Sequence, residues 1–527
     1  MTLNSYPFPA ILHSKGFALI GSFVLLMLAA NPATAQNGND ALRFTQRFPG
    51  TSAVSVGIAG TGVAGVADPS ALVLNPAGLG FAGRSSISGS LSSFNIQDDS
   101  FYRLDGSSFP GSADLTTTGV GHLASIYKVP TSQGSLVLGI SFSQVTTYER
   151  DLFFEGENGL NSITDFFMPL QGEFELTEDG TDVFTEFFRT PSFIAFETFA
   201  IDFDQGLFDD DDPIPFLPAV STGTVLQSGF VTEEGRMSEI NFGAAMEAAE
   251  GVMIGASLNI PIASYTFTRV FEEEDIFNDN DGSNGTTDFD YLRYTESFHS
   301  DMVGINGRLG LSARVSPQMR LGFTIETPTS LSIEDEFFTV LRTEFDNGDL
   351  FIYGDQPDED AGTGIFEYTL TTPWRLGAGV SYRSGSLTLM ADAEWVDWSQ
   401  MKFSHTNNSF ADENRSIKEQ FDAVLNARFG ATFETGDFII RGGFAIYPDP
   451  HNNLFSQAGD GSAVDRERQY FSLGAGYRIS NMLRADVGWI QEQFDDAYSP
   501  YTEVANAPVV AEEVIRNRVQ IGFTVRI

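Results

Sequence analysis

The sequence contains no cysteine. Disulfides, thiolate nucleophiles and cysteine-based metal sites are therefore excluded. Histidine is scarce: beyond residue 35 there are only His122, His299, His405 and His451. His122 alone falls within a predicted strand, and no nucleophile motif accompanies it. Ser–His chemistry is not assembled, and the chain reads as a non-enzyme. Positive charge is also in short supply. Lys+Arg number 29 against 71 Asp+Glu, a net charge of −42. That balance excludes nucleic acid as a partner, because phosphate binding needs the opposite sign. Long apolar runs are missing too. After residue 31 no stretch reaches the roughly eighteen continuous apolar residues of a membrane helix, although 42% of the residues are hydrophobic.

What is present begins at the N-terminus. Lys15 precedes the apolar run Gly16–Ala30, and Ala33-Thr34-Ala35 carries the small-residue pattern of an export-signal cleavage site. Residues 1–35 are expected to be a cleaved signal peptide, with the mature chain starting at Gln36.

From Arg84 onward the dominant signal is period-two alternation in segments of roughly ten residues. Leu309, Leu311, Ala313 and Val315 alternate with Arg308, Gly310, Ser312 and Arg314. Leu376, Ala378, Val380 and Tyr382 alternate with Gly377, Gly379, Ser381 and Arg383, and Val519, Ile521, Phe523 and Val525 with Gln520, Gly522, Thr524 and Arg526. One face is apolar and aromatic, and the other is glycine, serine and charge. A soluble sandwich buries the apolar face; a membrane barrel turns it to lipid.

The connections separate the two. Short links at 129–134, 250–251, 317–318, 384–385, 435–436 and 480–481 alternate with long ones at 93–116, 149–236, 271–299, 331–365, 403–417, 448–466 and 496–512. Tight periplasmic turns and long outer loops are the habit of outer-membrane barrels. The reading is an all-β fold: a transmembrane antiparallel β-barrel of about fourteen strands over residues 84–527, in the bacterial outer membrane, crossing it many times and acting as a monomer. Both barrel ends then lie on the periplasmic side, so an N-terminal plug is expected to enter from below. The long loops carry much of the acid, including Asp209–Asp212, Glu272–Asp275 and Asp358–Asp360. Loop 149–236 is also rich in phenylalanine (Phe153, Phe154, Phe166, Phe167, Phe187, Phe188, Phe193, Phe196, Phe199). It is expected to fold over the mouth, either as an apolar ligand trap or as a self-packed core.

Residues 36–83 do not alternate. They are rich in glycine, alanine and valine, as in Gly62-Val63-Ala64-Gly65-Val66-Ala67-Asp68 followed by Asn75-Pro76-Ala77-Gly78, and small residues suit tight packing inside a lumen. These two stretches resemble the hatch of the FadL/TodX family of outer-membrane transporters for long-chain fatty acids and other hydrophobic compounds. Tyr127-Lys128-Val129-Pro130, Ala393-Glu394-Trp395-Val396-Asp397-Trp398-Ser399 and Arg441-Gly442-Gly443-Phe444 resemble further family segments. The resemblance implies a fourteen-stranded barrel with a hatch, passive uptake of hydrophobic compounds such as fatty acids, contact with outer-membrane lipid, and no cofactor. It places Asn75, Pro76, Ala77 and Gly78 at the gating end of the hatch, with an apolar pocket above. The alternatives are a PorV-like scaffold for protein secretion that transports nothing, and a general porin.

Three further groups stand out. Inward-facing Arg308, Arg375 and Arg441 are candidates to hold a fatty-acid carboxylate by a bidentate contact; the competing reading is cross-strand ion pairing with inward acids such as Glu326, Asp392, Glu394, Glu434 and Asp486. Pro261 interrupts a predicted strand and implies a bulge or gap in the wall, whereas family members are thought to release ligand through a kink nearer the third strand. Asp279, Asp281, Ser283 and Asp290 stand at calcium-ligand-like spacing, against the plainer reading of an acidic loop.

Overall fold

The computed structural model describes residues 37–527, apart from 65, 171–173, 177–182, 185–189, 205–214, 222, 281–287, 357–362 and 453–462. The segment expected to be a signal peptide, Phe187, Phe188, Asp281, Ser283 and the acid runs 209–212 and 358–360 lie outside the described residues.

The strands, in chain order, are β1 (Ser86–Leu104), β2 (Ser107–Val129), β3 (Leu136–Thr147), β4 (Arg150–Asn158), β5 (Glu175–Leu176), β6 (Val183–Phe184), β7 (Ile201–Phe203), β8 (Phe216–Pro218), β9 (Val225–Ala249), β10 (Val252–Glu274), β11 (Phe289–Arg314) and β12 (Met319–Glu326). They continue with β13 (Ser330–Phe345), β14 (Leu350–Tyr353), β15 (Gly364–Thr371), β16 (Arg375–Ser384), β17 (Leu387–Asp397), β18 (Lys402–Ser404), β19 (Ala423–Thr435), β20 (Phe438–Tyr447), β21 (Arg468–Arg478), β22 (Leu483–Tyr498) and β23 (Val509–Arg526). Nineteen of them form one sheet that closes where β1 pairs with β23, from Ser86↔Arg526 to Arg103↔Val509. The pairs β3/β4, β12/β13, β15/β16 and β17/β18 each make one wall broken in the middle, and β14 folds back on β13, so the barrel has fourteen walls. The links Gly385-Ser386 and Gly436-Asp437 place glycine at φ +59° and +57°, as two-residue hairpins of type II′ require.

An apolar face left exposed decides that this is a membrane barrel. On β10, Ile254, Ala256, Leu258, Ile260 and Ile262 point outward while Ser257 and Asn259 are buried. That stretch matches the roughly 9–11 residues with which a tilted strand crosses a bilayer. Beyond Ile262 the pattern inverts: Ser264, Thr266 and Thr268 face out, and Ala263, Tyr265 and Phe271 are buried. β1 inverts in the same way, from outward Ile87 and Leu91 to inward Phe94, Ile96 and Tyr102. These long strands are thus membrane strands below and soluble, core-facing strands above.

This inversion corrects the expected loops. Residues 93–116 are not a loop but the outer half of the β1–β2 hairpin, closed by Asp105-Gly106 at φ +45° and +79°. An apolar pattern that slips by one residue reads as loss of alternation. Loop 149–236 shrinks from both ends, because β4 pairs with β9 from Arg150↔Glu233 to Asn158↔Val225. What remains packs Ile163, Phe167, Phe193, Ile194 and Phe216 against Tyr102, Phe154, Phe271, Tyr294 and Leu341. Its aromatic residues are mostly spent on a core of their own, although Phe153 and Phe199 stay exposed.

The N-terminal segment also differs from expectation. It does not enter from below. Its first helix, Gly38–Arg43, lies beside the outer-loop helix Ala411–Gln420, and Asn39 meets His451. From there the chain descends the lumen to Ser86 at the periplasmic rim.

Pro261 makes no bulge. It stays in register opposite Glu239 of β9, and the β10–β11 ladder resumes at Ile262↔Val303 with no shift after Asn259↔Asn306. Proline lacks an N–H, so rungs are missing but no residue is inserted. An inserted residue does occur at Val145 in the third wall, between Gln144↔Ser238 and Thr146↔Met237. There the β2–β3 ladder also stops, at His122↔Ser143, leaving β2 from Ser107 to Val120 paired with β1 alone.

The belt has a direct test. Leu258 points outward at mid-belt and is 48% exposed. Leu258→Arg is expected to destabilise the barrel in lipid vesicles by about 2–4 kcal/mol, measured by denaturant titration, whereas Thr268→Arg, above the belt, is expected to change it by less than about 1 kcal/mol. Equal effects would remove the assignment of the belt.

Candidate functional site

The inner segment is held by its backbone. Asp392 of β17 accepts from the amides of Gly62 and Val63 at 2.6 and 3.0 Å. Arg308 donates to the carbonyl of Leu72 at 3.1 Å, Arg375 to that of Thr45 at 2.7 Å, Arg518 to that of Gly50 at 2.9 Å and Gln520 to that of Thr51 at 2.9 Å. The amide of Phe48 donates to Val145 at 2.9 Å, so the bulge carbonyl serves the segment and not the wall. Asn75 is the joint of the lower half. Its amide group donates to Val63 at 2.7 Å and to Leu311 at 3.2 Å, and its side-chain oxygen caps the turn Pro76–Phe81 through Ala77.

The wall admits this contact because its inward residues are glycine at that level. A methyl group on Gly474 would sit 2.9 Å from the Cα of Gly57, and one on Gly443 would sit 2.7 Å from the amide nitrogen of Ala59. On the opposite side Gly255 and Gly310 meet Pro76, Ala77 and Asn75 as closely, and Gly322 meets Val63. Just above, a chain of side-chain hydrogen bonds ties five walls together: Ser141 to Asn241, Asn241 to Asn259, Asn259 to Asn306 and Asn306 to Thr329, at 2.7–2.9 Å.

Between the upper part of the segment and the outer loops lies a cavity of about 280 Å³. Seven arginines and five acids line it, with Phe48, Tyr148, Trp398, Tyr447, Tyr470, Phe494 and Tyr498. The expected apolar pocket is therefore a charged and aromatic one. Arg150 pairs with Glu233 at 2.8 Å and with Glu512, Arg468 with Glu492 at 2.9 Å, Arg466 with Asp496 at 2.7 Å, and Arg47 with Glu326 at 2.8 Å. Arg468 and Arg516 lie 4.1 and 5.2 Å from the ring centre of Phe494. Each lining arginine has an acid partner, and the rings lie among these pairs, so the cavity mixes paired charge with apolar surface.

The predicted residues separate on this map. Arg375 lines the cavity, pairs with Glu394 at 3.4 Å and lies over Trp398. Arg308 and Arg441 do not line it: they are buried lower, against Glu326 and Asp486. Those two are ion-paired where they stand, below the cavity. Asn75, Pro76, Ala77 and Gly78 sit together at the lower wall, as described. Asp279 accepts from the amide of Thr224 at 3.0 Å, and Asp290 sits at a register shift near the start of β11, its carbonyl accepting from the amide of Asp275 at 2.9 Å; among the described residues no group of acids or histidines is arranged to hold a metal. Sequence reasoning missed Arg43, Arg47, Arg150 and Arg468. The first two lie in the non-alternating segment and Arg150 in what read as loop, so no face could be assigned to them.

Solved structures share this architecture. A Pseudomonas aeruginosa FadL homologue aligns over 91% of this chain and 100% of its own, with a TM-score of 0.56 at 13% identity. The fold is that of a FadL homologue. The Pseudomonas putida toluene transporter TodX aligns over 91% of this chain and 99% of its own (TM-score 0.49, 13% identity), and the Ralstonia pickettii toluene transporter TbuX over 91% and 99% (TM-score 0.47, 16% identity). No family model and no curated protein matches the sequence.

In this FadL-like barrel the seat of the segment is testable. Gly310→Val drives a side chain into Asn75 and Ala77, and overpacking of this kind typically costs about 1–3 kcal/mol. The expected result is raised ion conductance in planar bilayers with the barrel still folded, as judged by heat-modifiable gel mobility. Gly442→Val on the outward face of β20, where an added Cβ would meet only ordinary contacts at 3.8–4.0 Å, is the control expected to leave conductance unchanged.

Proposed function

We propose that the protein takes up hydrophobic compounds bearing an anionic head, long-chain fatty acids among them, passively across the outer membrane. The observation that carries this reading is the cavity, lined by arginines and rings and held above a segment that contacts the walls all round. Arg375 and Arg47 are the cations we assign to the carboxylate, and Phe48, Tyr148 and Trp398 the surface for the chain. The hatch role belongs to residues 37–83, with Asn75–Gly78 as its lower hinge. Exit is assigned to the third wall, where the Val145 bulge coincides with the end of the β2–β3 ladder; a bulge that leaves one neighbour unpaired is where a closed barrel parts most readily. The solved proteins whose names state a cargo are toluene transporters, which fits a hydrophobic cargo without fixing its head group.

A general porin does not fit, because an open aqueous lumen is incompatible with the buried backbone contacts of the segment. The scaffold reading keeps one point in its favour: the outer cap packs much of its aromatic surface on itself. Binding separates the two. Calorimetry of oleate with the detergent-purified mature barrel is expected to show saturable binding, weakened about tenfold by Arg375→Ala, the equivalent of about 1.4 kcal/mol. Deletion of Val145 is expected to keep binding and abolish uptake into cells. No binding by the folded barrel would favour the scaffold; unchanged uptake after deletion would remove the third-wall exit.

A further inference from the structure

The periplasmic mouth of the lumen carries a charge pattern opposite to that of the chain. Arg314 and Arg320 stand directly opposite each other on β11 and β12, and Arg478 and Arg484 do the same on β21 and β22. Arg383 lies one residue from the end of β16, and Arg526 ends β23 opposite Ser86. The adjacent residues Val315, Tyr382, Tyr477 and Val525 face the lipid. The arginines therefore face the other way, into the space beneath the inner segment. Arg314 and Arg320 lie 5.3 and 4.4 Å from the ring centre of Phe81, the last residue of the turn Pro76–Phe81. Like charges directly opposite on adjacent strands are destabilising. Acids offset this only in part. Glu434 serves Arg383 at 3.7 Å and Arg478 as well, and Arg484 meets Asp486 at 2.7 Å and Asp68 at 3.9 Å. Among the described residues no carboxylate stands within ion-pair distance of Arg314, Arg320 or Arg526.

The acids of the outer end do not relieve this repulsion. Glu272 and Glu344 flank the start of β11. The 26 residues of that strand put roughly 80 Å of chain between them and Arg314, against a screening length of about 8 Å at physiological salt. Phospholipid headgroups do not relieve it either, because the arginines stand on the wall face turned away from lipid. What reaches them comes from the periplasm. A single small anion occupies one opposed pair, whereas the two pairs stand on separate walls with Arg383 and Glu434 between them. A chain bearing carboxylates at intervals engages both, and the partly exposed Phe81 offers it an apolar contact between cations. We infer that the periplasmic mouth docks an acidic segment of a periplasmic polypeptide. Arginine suits this role, since its fork takes a carboxylate through two parallel hydrogen bonds. The inference is independent of the uptake reading and holds for a transporter and a scaffold alike.

The probe is fluorescein-labelled decaglutamate, titrated with the mature barrel in zwitterionic detergent and followed by fluorescence anisotropy. Saturable binding is expected although the chain carries a net charge of −42, and it is expected to weaken as salt is raised. The double variant Arg314→Gln with Arg320→Gln is expected to weaken it about tenfold, through loss of charge contacts. Arg314→Lys with Arg320→Lys, which keeps the charge, is expected to keep most of the affinity. The control is Arg293→Gln with Arg342→Gln, an opposed pair at the outer end with Glu272 and Glu344 beside it, expected to change nothing. Folding of each variant is read from heat-modifiable gel mobility, and Arg484→Gln takes the place of the double variant if that one does not fold. No binding by the native barrel, an equal loss in the outer control, or affinity unchanged by the glutamine substitutions at the mouth would each overturn the docking surface. Displacement of the peptide by orthophosphate at matched charge concentration would make the rim a small-anion site and overturn it too.

Discussion

Everything in this molecule depends on how closely one backbone can approach another inside a closed sheet. The segment from Ala53 to Gly78 lies against the wall at distances that leave no room for a Cβ on the strand beneath it. Glycine on β10, β11, β12, β20 and β21 at one level supplies that clearance. The same choice weakens each strand slightly, since glycine loses more entropy on ordering than alanine. The loss is offset by burial of the segment and by the polar side chains of the wall that bind its amides and carbonyls.

That arrangement explains why charge appears where it does. The wall recognises the segment through main-chain groups, so it needs donors and acceptors that project from strands: Asp392, Arg308, Arg375, Arg518 and Gln520. Two of these four charges, Arg308 and Arg375, are ion-paired, as buried charges usually must be. Within the cavity, too, each arginine is matched by an acid, so its charges are held in pairs among aromatic rings.

Much of this was legible in the sequence, and the failures have physical causes. Alternation such as Leu309–Val315 against Arg308–Arg314 gave the barrel, its lipid face and its periplasmic turns. Alternation is a one-phase signal, though, and it misled where the phase inverts: β1 and β2 above the membrane read as loop because Phe94 and Ile96 have the opposite parity to Ile87 and Leu91. Inward position was readable for Arg308, Arg375 and Arg441, but height in the lumen was not, and height decides which of them meets a ligand. Pro261 drew attention as the residue most hostile to a strand, yet an imino acid only deletes a rung. The insertion at Val145, which has no compositional mark, breaks the wall. The direction of the inner segment was unreadable because its contacts are to backbone, which every residue possesses.

The path of that segment bears on how the molecule is made. It runs from the outer loops to the periplasmic rim, and its next residues are β1, the strand that closes the barrel against β23. The segment inside the ring is thus continuous with the strand that closes it. Closure joins the two ends of the sheet across almost the whole sequence, the most distant pairing available and so an intrinsically slow one.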